Sequence, residues 1–230
     1  MVLGQLKTEE KSNEITAIPE LLKLLEVKGA LVTIDAMGCQ KAIAQTIRER
    51  EADYCLAVKE NQPTLLEDVR ATFDEASESK SFRRVTREES HGRIEIRAYT
   101  QVTDISRIRS ADEWRDLSSV VRVESHRFTS EGNSTETRYY ISSLGRGVRS
   151  LAKAIREHWG VENSLHYVLD VTFKEDGSRI RSGDGAENMA TLRRLALNFL
   201  NNDREKGISV KNRRMMAAFN DEVLENILGF

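Results

Sequence analysis

The chain has 230 residues, enough for one large domain or a core domain with an insertion, and its 39% hydrophobic and 31% charged residues with only 2 prolines describe an ordinary globular protein. No apolar run approaches the roughly 20 residues of a membrane span, the N-terminus lacks a signal-peptide pattern, and two cysteines, Cys39 and Cys55, suit a reducing compartment better than a disulfide scaffold. A cytoplasmic protein without a membrane partner is expected, both cysteines serving as small apolar residues. The net charge of −2 hides an asymmetry: 10 Lys/Arg against 15 Asp/Glu in residues 1–80, 25 against 22 in residues 81–230, and 10 against 6 between Lys174 and Arg214. Such a local excess suits a phosphate backbone, and equally a mixed charged surface.

In chain order, Val2-Leu-Gly-Gln-Leu-Lys-Thr8 alternates as a short strand and a polar loop follows. A helix is predicted from Thr16 or Ala17, with Pro19 in its first turn and Leu21, Leu22, Leu24 and Leu25 on its apolar face, ending at Lys28-Gly29. Ala30-Leu-Val-Thr-Ile-Asp35 is a short apolar run rich in β-branched residues, consistent with a strand buried on both faces. Ala36-Met37-Gly38 turns the chain into a helix over 40–50. Tyr54-Cys-Leu-Ala-Val-Lys59 reads as a second buried strand, and Thr64 is placed to cap a helix over 65–76. Alternating strands and helices imply a parallel sheet with crossover helices, in which functional groups gather at the carboxyl ends of strands. Asp35 stands at such an end; capping the next helix is the alternative use for it.

After Glu78 the period changes to two. Segments 93–102, 119–128 and 135–143 read as half-exposed antiparallel strands, so 81–147 is a β-rich insertion or an extension of the sheet between a first core part, 1–80, and a helical part, 148–230. Gly145-Arg-Gly-Val leads into Leu151–Asp170, a predicted amphipathic helix. At roughly 100° per residue, Leu151, Ile155, His158, Trp159, Leu165, His166 and Leu169 fall within about 60° of Glu162, which puts a carboxylate on the stripe that should be buried. Burying a charge costs several kcal/mol unless it is paired or binds a metal, so Glu162 is either an ion-pair partner, a residue at the wet edge of the stripe, or a ligand. A basic loop from Lys174, a further amphipathic helix over 186–201 and one or two short terminal helices complete the chain.

An Asp at a strand end and a Glu on a distant helix resemble two arms of a carboxylate cage. Hard divalent cations take oxygen ligands, and a metal pair can activate water and stabilise the leaving oxygen of a phosphodiester. Glycoside hydrolysis and aspartyl-protease chemistry also use two carboxylates, but no supporting motif accompanies either.

Leu31-Val-Thr-Ile-Asp-Ala-Met-Gly-Cys-Gln-Lys41, Leu56-Ala-Val-Lys-Glu-Asn-Gln62 and Arg156-Glu-His-Trp-Gly-Val-Glu-Asn-Ser-Leu-His-Tyr-Val-Leu-Asp-Val-Thr-Phe173 resemble the transposases of ISAs-type bacterial insertion sequences, including the H-repeat-associated proteins. The likeness runs over nearly the whole chain. It implies the DDE transposase superfamily, with a ribonuclease-H-like α/β fold (a mixed sheet with flanking helices), three acids holding two Mg²⁺ or Mn²⁺ ions, and double-stranded DNA, both transposon ends and target, as partner, with a homodimer as a further expectation. Asp35 corresponds to the second acid and Glu162 to the third. The first acid lies in an Asp-Gly-Lys motif on the first strand, and these 230 residues contain none, so the resemblance implies an N-terminally truncated chain, its first strand missing, that does not cleave DNA by itself. His158 stands where the wider superfamily often has Arg; with Asn163 and His166 it is a candidate for holding the ligands in place. Lys59, Asn61, Gln62, Arg179, Arg181, Arg193 and Arg194 are the candidate DNA contacts. The alternative is a non-catalytic remnant that binds DNA or associates with an intact transposase; a stand-alone nuclease is a third reading.

Overall fold

Four consecutive residues with branched or long apolar side chains, Leu31–Ile34, form strand β1, and Asp53–Val58 forms β2 beside it in parallel, Ile34 opposite Leu56. The computed structural model describes residues 1–6, 14–75, 81–90, 92–161, 165–180, 182–202 and 207–229. It divides into two units, Thr8–His158 and Met1–Lys7 with Trp159–Phe230.

In the first unit, helix α1 (Glu14–Leu24) precedes β1, α2 (Lys41–Glu49) connects β1 to β2, and α3 (Pro63–Glu75) follows β2. Strands β3 (Ser81–Ser90), β4 (Arg93–Val102), β5 (Ser119–Thr129) and β6 (Gly132–Ser142) then form an antiparallel meander, and β6 returns to pair antiparallel with β2. The result is one six-stranded mixed sheet in the order β1-β2-β6-β5-β4-β3, with β1–β2 as its parallel pair. The parallel sheet read from the first 80 residues is therefore limited to two strands.

Strand alternation sorts the sheet into two faces. Tyr54, Leu56, Val58, Val102, Val120 and Ile141 point to one side, where Ile43, Ala44 and Ile47 of α2 and Leu65, Leu66 and Val69 of α3 complete the buried core with Trp114. Fully burying side chains of this kind stabilises the fold by about 1.5–3 kcal/mol each. The other face, with Thr33, Cys55, Tyr99, Gln101 and Val123, receives helix α4 (Val148–Val161) through hydrogen bonds. Gln101, fully buried, donates to Ser119 Oγ (2.9 Å) and the Leu144 carbonyl (3.0 Å) and accepts the Gly147 N–H (3.0 Å), which fixes the turn that launches α4.

Several elements differ from the sequence expectation. β1 is half-buried at all four positions, because among the described residues it pairs on one side only. β3, which the alternation test missed, is the opposite edge strand; with one neighbour it tolerates Arg83, Arg84, Arg87, Glu88 and Glu89 in a row that a central strand would not. α1 begins earlier than expected, so Pro19 lies inside it rather than in its first turn. α3 begins at Pro63, the Gln62 carbonyl accepting the first helical hydrogen bond from Leu66 N (2.9 Å), rather than being capped by Thr64. Of the single helix expected over 151–170, the described residues show α4 to Val161 and helical backbone again from residue 165, which ends in a π-helical turn, Val168–Thr172, that closes wider than 3.6 residues per turn; 162–164 lie outside the described residues.

In the second unit, α5 (Gly185–Asn202), α6 (Val210–Phe219) and α7 (Asp221–Leu228) bury Leu169, Leu197, Leu200 and Ile227. Ser209 caps α6, and Asn220 Oδ1 caps α7 by accepting from Glu222 N (2.9 Å) and Val223 N (3.3 Å). Met1–Leu6 is not the expected strand: Val2 N–H donates to Asn198 Oδ1 and the Val2 carbonyl accepts from Asn198 Nδ2, both at 2.7 Å, so a side-chain amide takes the place of a neighbouring strand. Lys7 and Thr8 lie outside the described residues. Among those described, no helix is long and apolar enough to cross a membrane.

Candidate active site

Asp35 follows Ile34 at the carboxyl end of β1 and is exposed. It does not cap α2; that position belongs to Gln40. Its Oδ1 accepts one long hydrogen bond from Gly38 N (3.4 Å), which leaves carboxylate lone pairs open to solvent. Each carbonyl of the loop behind it is engaged: Ala36 O accepts Asn61 Nδ2 (2.7 Å) and Cys39 N (3.2 Å), Met37 O accepts Gln40 Nε2 (3.4 Å), Gly38 O accepts Gln40 N (2.9 Å) and Cys39 O accepts Gln62 Nε2 (2.9 Å). Gly38 is packed so closely that a Cβ there would lie 2.3 Å from Ile34 Cγ2. Cys39 and Cys55 are buried, and burial pushes the Cys39 thiol up to about 12.

His158, in the last turn of α4, reaches β1: its Nδ1 lies 3.1 Å from Thr33 Oγ1, two residues before Asp35. Arg156 on the same helix grips Glu88 of β3 in a bidentate pair, Nε to Oε1 and Nη2 to Oε2 both at 2.8 Å. The guanidinium of Arg156, then that of Arg97, holds the Glu88 carboxyl down at about 2. Arg97 also pairs with Glu95, a buried carboxylate that further binds Arg93 (3.1 Å) and Arg127 (3.0 Å). This network was not singled out in the sequence, where its strand members are ordinary charges; the register, Glu88 opposite Glu95 and Glu95 opposite Arg127, brings those together, and α4 adds Arg156.

Glu162, Asn163 and Arg181 lie outside the described residues. Among the described ones, no three His, Cys, Asp or Glu side chains gather as a metal cage. The exposed Asp35 carboxylate, a hard oxygen donor with open lone pairs on a fixed loop, fits one ligand of a hard divalent cation. His166 is exposed beside the π-helical turn. Lys59 and Arg179 are exposed, whereas Arg193 and Arg194 are 13% and 26% exposed and both face Glu175, at 3.9 and 3.0 Å. Asn61 and Gln62 each direct an N–H to the Asp35 loop.

Residues 1–199 match the family model described as the transposase DDE domain. The chain belongs to the DDE transposase family. It is 44% identical to "Putative transposase YncI" of Escherichia coli O157:H7 over 99% of this chain and 60% of that protein. It is 40% identical to "H repeat-associated putative transposase YhhI" of Escherichia coli strain K12 over 99% of this chain and 62% of that one. The chain thus spans about 60% of the length of the curated relatives it matches. The family and the six-stranded mixed sheet with its helices agree on a ribonuclease-H-like fold, as the resemblance implied.

Proposed function

We propose that these residues form part of the catalytic core of a cytoplasmic DNA transposase, in which Asp35 and Glu162 are two of three carboxylates that cleave DNA at insertion-sequence ends and join it to a target. The observation that carries the proposal is an exposed, uncapped Asp35 on a loop whose carbonyls are all engaged. Supporting it, α4, which precedes Glu162 in the sequence, is tied through His158 to Thr33 of β1, the strand that Asp35 follows. DDE transposase domains generally use divalent metal ions, and Mg²⁺ or Mn²⁺, as a pair, would here activate the attacking water or 3′-hydroxyl and neutralise charge on the leaving oxygen. Asp35 would hold such an ion through its open oxygens, with Glu162 as a second ligand. His158 and, in residues 162–166, Asn163 and His166 would keep those ligands oriented. The division 1–80, 81–147 and 148–230 then separates the part that carries Asp35, the sheet extension, and the helical part that carries Glu162. Double-stranded DNA, and a second copy of the protein, are the proposed partners.

The test is nicking and strand transfer on DNA carrying insertion-sequence ends, in Mg²⁺ or Mn²⁺. Two-metal phosphoryl transfer needs both ions held in fixed geometry, and the 230 residues supply two of the family's three acids, so assayed alone they are expected to bind Mn²⁺ weakly and to turn nothing over. Weak binding that disappears in both Asp35→Asn and Glu162→Gln supports the assignment. Turnover by the 230 residues that Glu162→Gln abolishes would mean that another acid completes the site; binding indifferent to both substitutions would remove these residues from it.

A further inference from the structure

We infer that Asn61 and Gln62 are positioning residues for Asp35: the two amides, from the segment after β2, hold the loop after β1 in the conformation that presents the carboxylate to a divalent cation. The inference rests on the metal-ligand reading of Asp35. It goes beyond that reading by giving two polar side chains, which an exposed amide pair would otherwise offer to DNA, a different task.

The geometry is specific. β2 runs two residues past the end of β1's ladder, Ile34 being opposite Leu56 while β2 continues to Val58. Asn61 and Gln62 therefore emerge at the same carboxyl edge as Asp35. Asn61 Nδ2 donates to Ala36 O (2.7 Å), the carbonyl adjoining Asp35, and Gln62 Nε2 donates to Cys39 O (2.9 Å), so the pair brackets the loop at both ends. Gln62 is itself fixed, since its carbonyl starts α3. Between the two anchors Gly38 lies against Ile34 and Ile18, leaving the loop no room to retreat toward the core. An exposed carboxylate on a free loop would lose conformational entropy each time it bound a cation; one on a loop already held by neighbouring elements loses less. Neither amide needs to touch the ion.

The experiment compares Asn61→Leu, Gln62→Met and the double variant, which keep most of the volume and remove the donors, with wild type and Asp35→Asn in the 230-residue chain. Mn²⁺ affinity is read by water-proton relaxation, hydrogen exchange over residues 36–40 by mass spectrometry, and melting temperature by circular dichroism. The proposal expects the double variant to lose about tenfold in Mn²⁺ affinity, at the low end for groups that orient a ligand, with faster exchange over 36–40, while Asn61→Gln, which restores a donor, recovers part of the affinity. A lower melting temperature with unchanged Mn²⁺ affinity assigns the amides to stability alone and overturns it; unchanged exchange overturns it as well. If wild type and Asp35→Asn bind Mn²⁺ alike, the ligand reading of Asp35 fails first and takes the inference with it, an outcome distinct from Asp35-dependent binding that ignores the amides.

Discussion

A methyl group at Gly38 would meet Ile34 Cγ2 at 2.3 Å and Ile18 Cδ1 at 3.1 Å. The nearer atom is a branch methyl fixed at Cβ, not the end of a flexible chain, so relief requires moving β1, α1 or the loop itself. Gly38→Ala is accordingly expected to destabilise by about 1–3 kcal/mol through overpacking, which for a chain of this size lowers the melting temperature by about 2–4 °C per kcal/mol. A melting curve superimposable on wild type would show that the loop is slack. At this scale the sequence was readable where a single residue interrupts a pattern: Asp35 ends an apolar run, and it does follow the last residue of β1. It was unreadable where the decisive feature is a contact between segments. Asn61 and Gln62 look like any exposed amides after a strand, and nothing local says that their N–H groups reach carbonyls 25 and 23 residues back.

Among elements, the same distinction holds. The period-two segments that became β4, β5 and β6 were legible from their alternating residue types, although burial changes along each strand, both faces being covered at one end, whereas edge strand β3 hid its alternation under charge. The stripe through Leu151, Ile155 and Leu169 has all three buried, yet apolar spacing cannot register that Val168–Thr172 is a π-helical turn. How α4 is fastened was equally hidden, and it carries a pH-dependent consequence. Glu88, held at about 2 chiefly by Arg156 and then Arg97, has a folded value below its ordinary value of 4.5. The stability it contributes is therefore present above about pH 4.5 and is lost as pH falls toward 2. Both partners are 41% exposed, so solvent screening keeps the contribution to about 1 kcal/mol or less. Glu88→Gln is expected to melt up to about 3 °C below wild type at pH 7, with the gap closing as the pH is lowered through that window. A gap that persists unchanged at pH 2 would mean that the glutamine disturbs packing and that the ion pair contributes nothing.

For the whole molecule, the excess of basic residues between Lys174 and Arg214 is the feature that composition made visible, and the structure sorts its members by what they are free to do. Arg193 and Arg194 are largely covered and face Glu175, and Arg194 Nη1 also donates to the Ala190 carbonyl (3.1 Å). Arg213 and Arg214 donate to the carbonyls of Leu200 and Thr172, and Arg214 stacks 4.9 Å from the Phe173 ring. These arginines hold the helical unit together. Arg179 is exposed on the basic loop, with Arg181 two residues on. If the protein acts on DNA as proposed, Arg179 is, with the exposed Lys174 and Lys211, among the described residues of this region available to phosphates, and each phosphate deprived of its arginine should reduce the slope of log affinity against log salt by about 0.9. Arg179→Gln with Arg181→Gln is therefore expected to weaken binding to duplexes of any sequence and flatten the slope by about 1.8. Arg193→Gln with Arg194→Gln should lower the melting temperature and leave the slope nearly as it was. Fluorescence anisotropy on two unrelated duplexes across a salt series separates the cases. A slope unmoved by the loop pair, or moved instead by the pair facing Glu175, would place the DNA on a different surface.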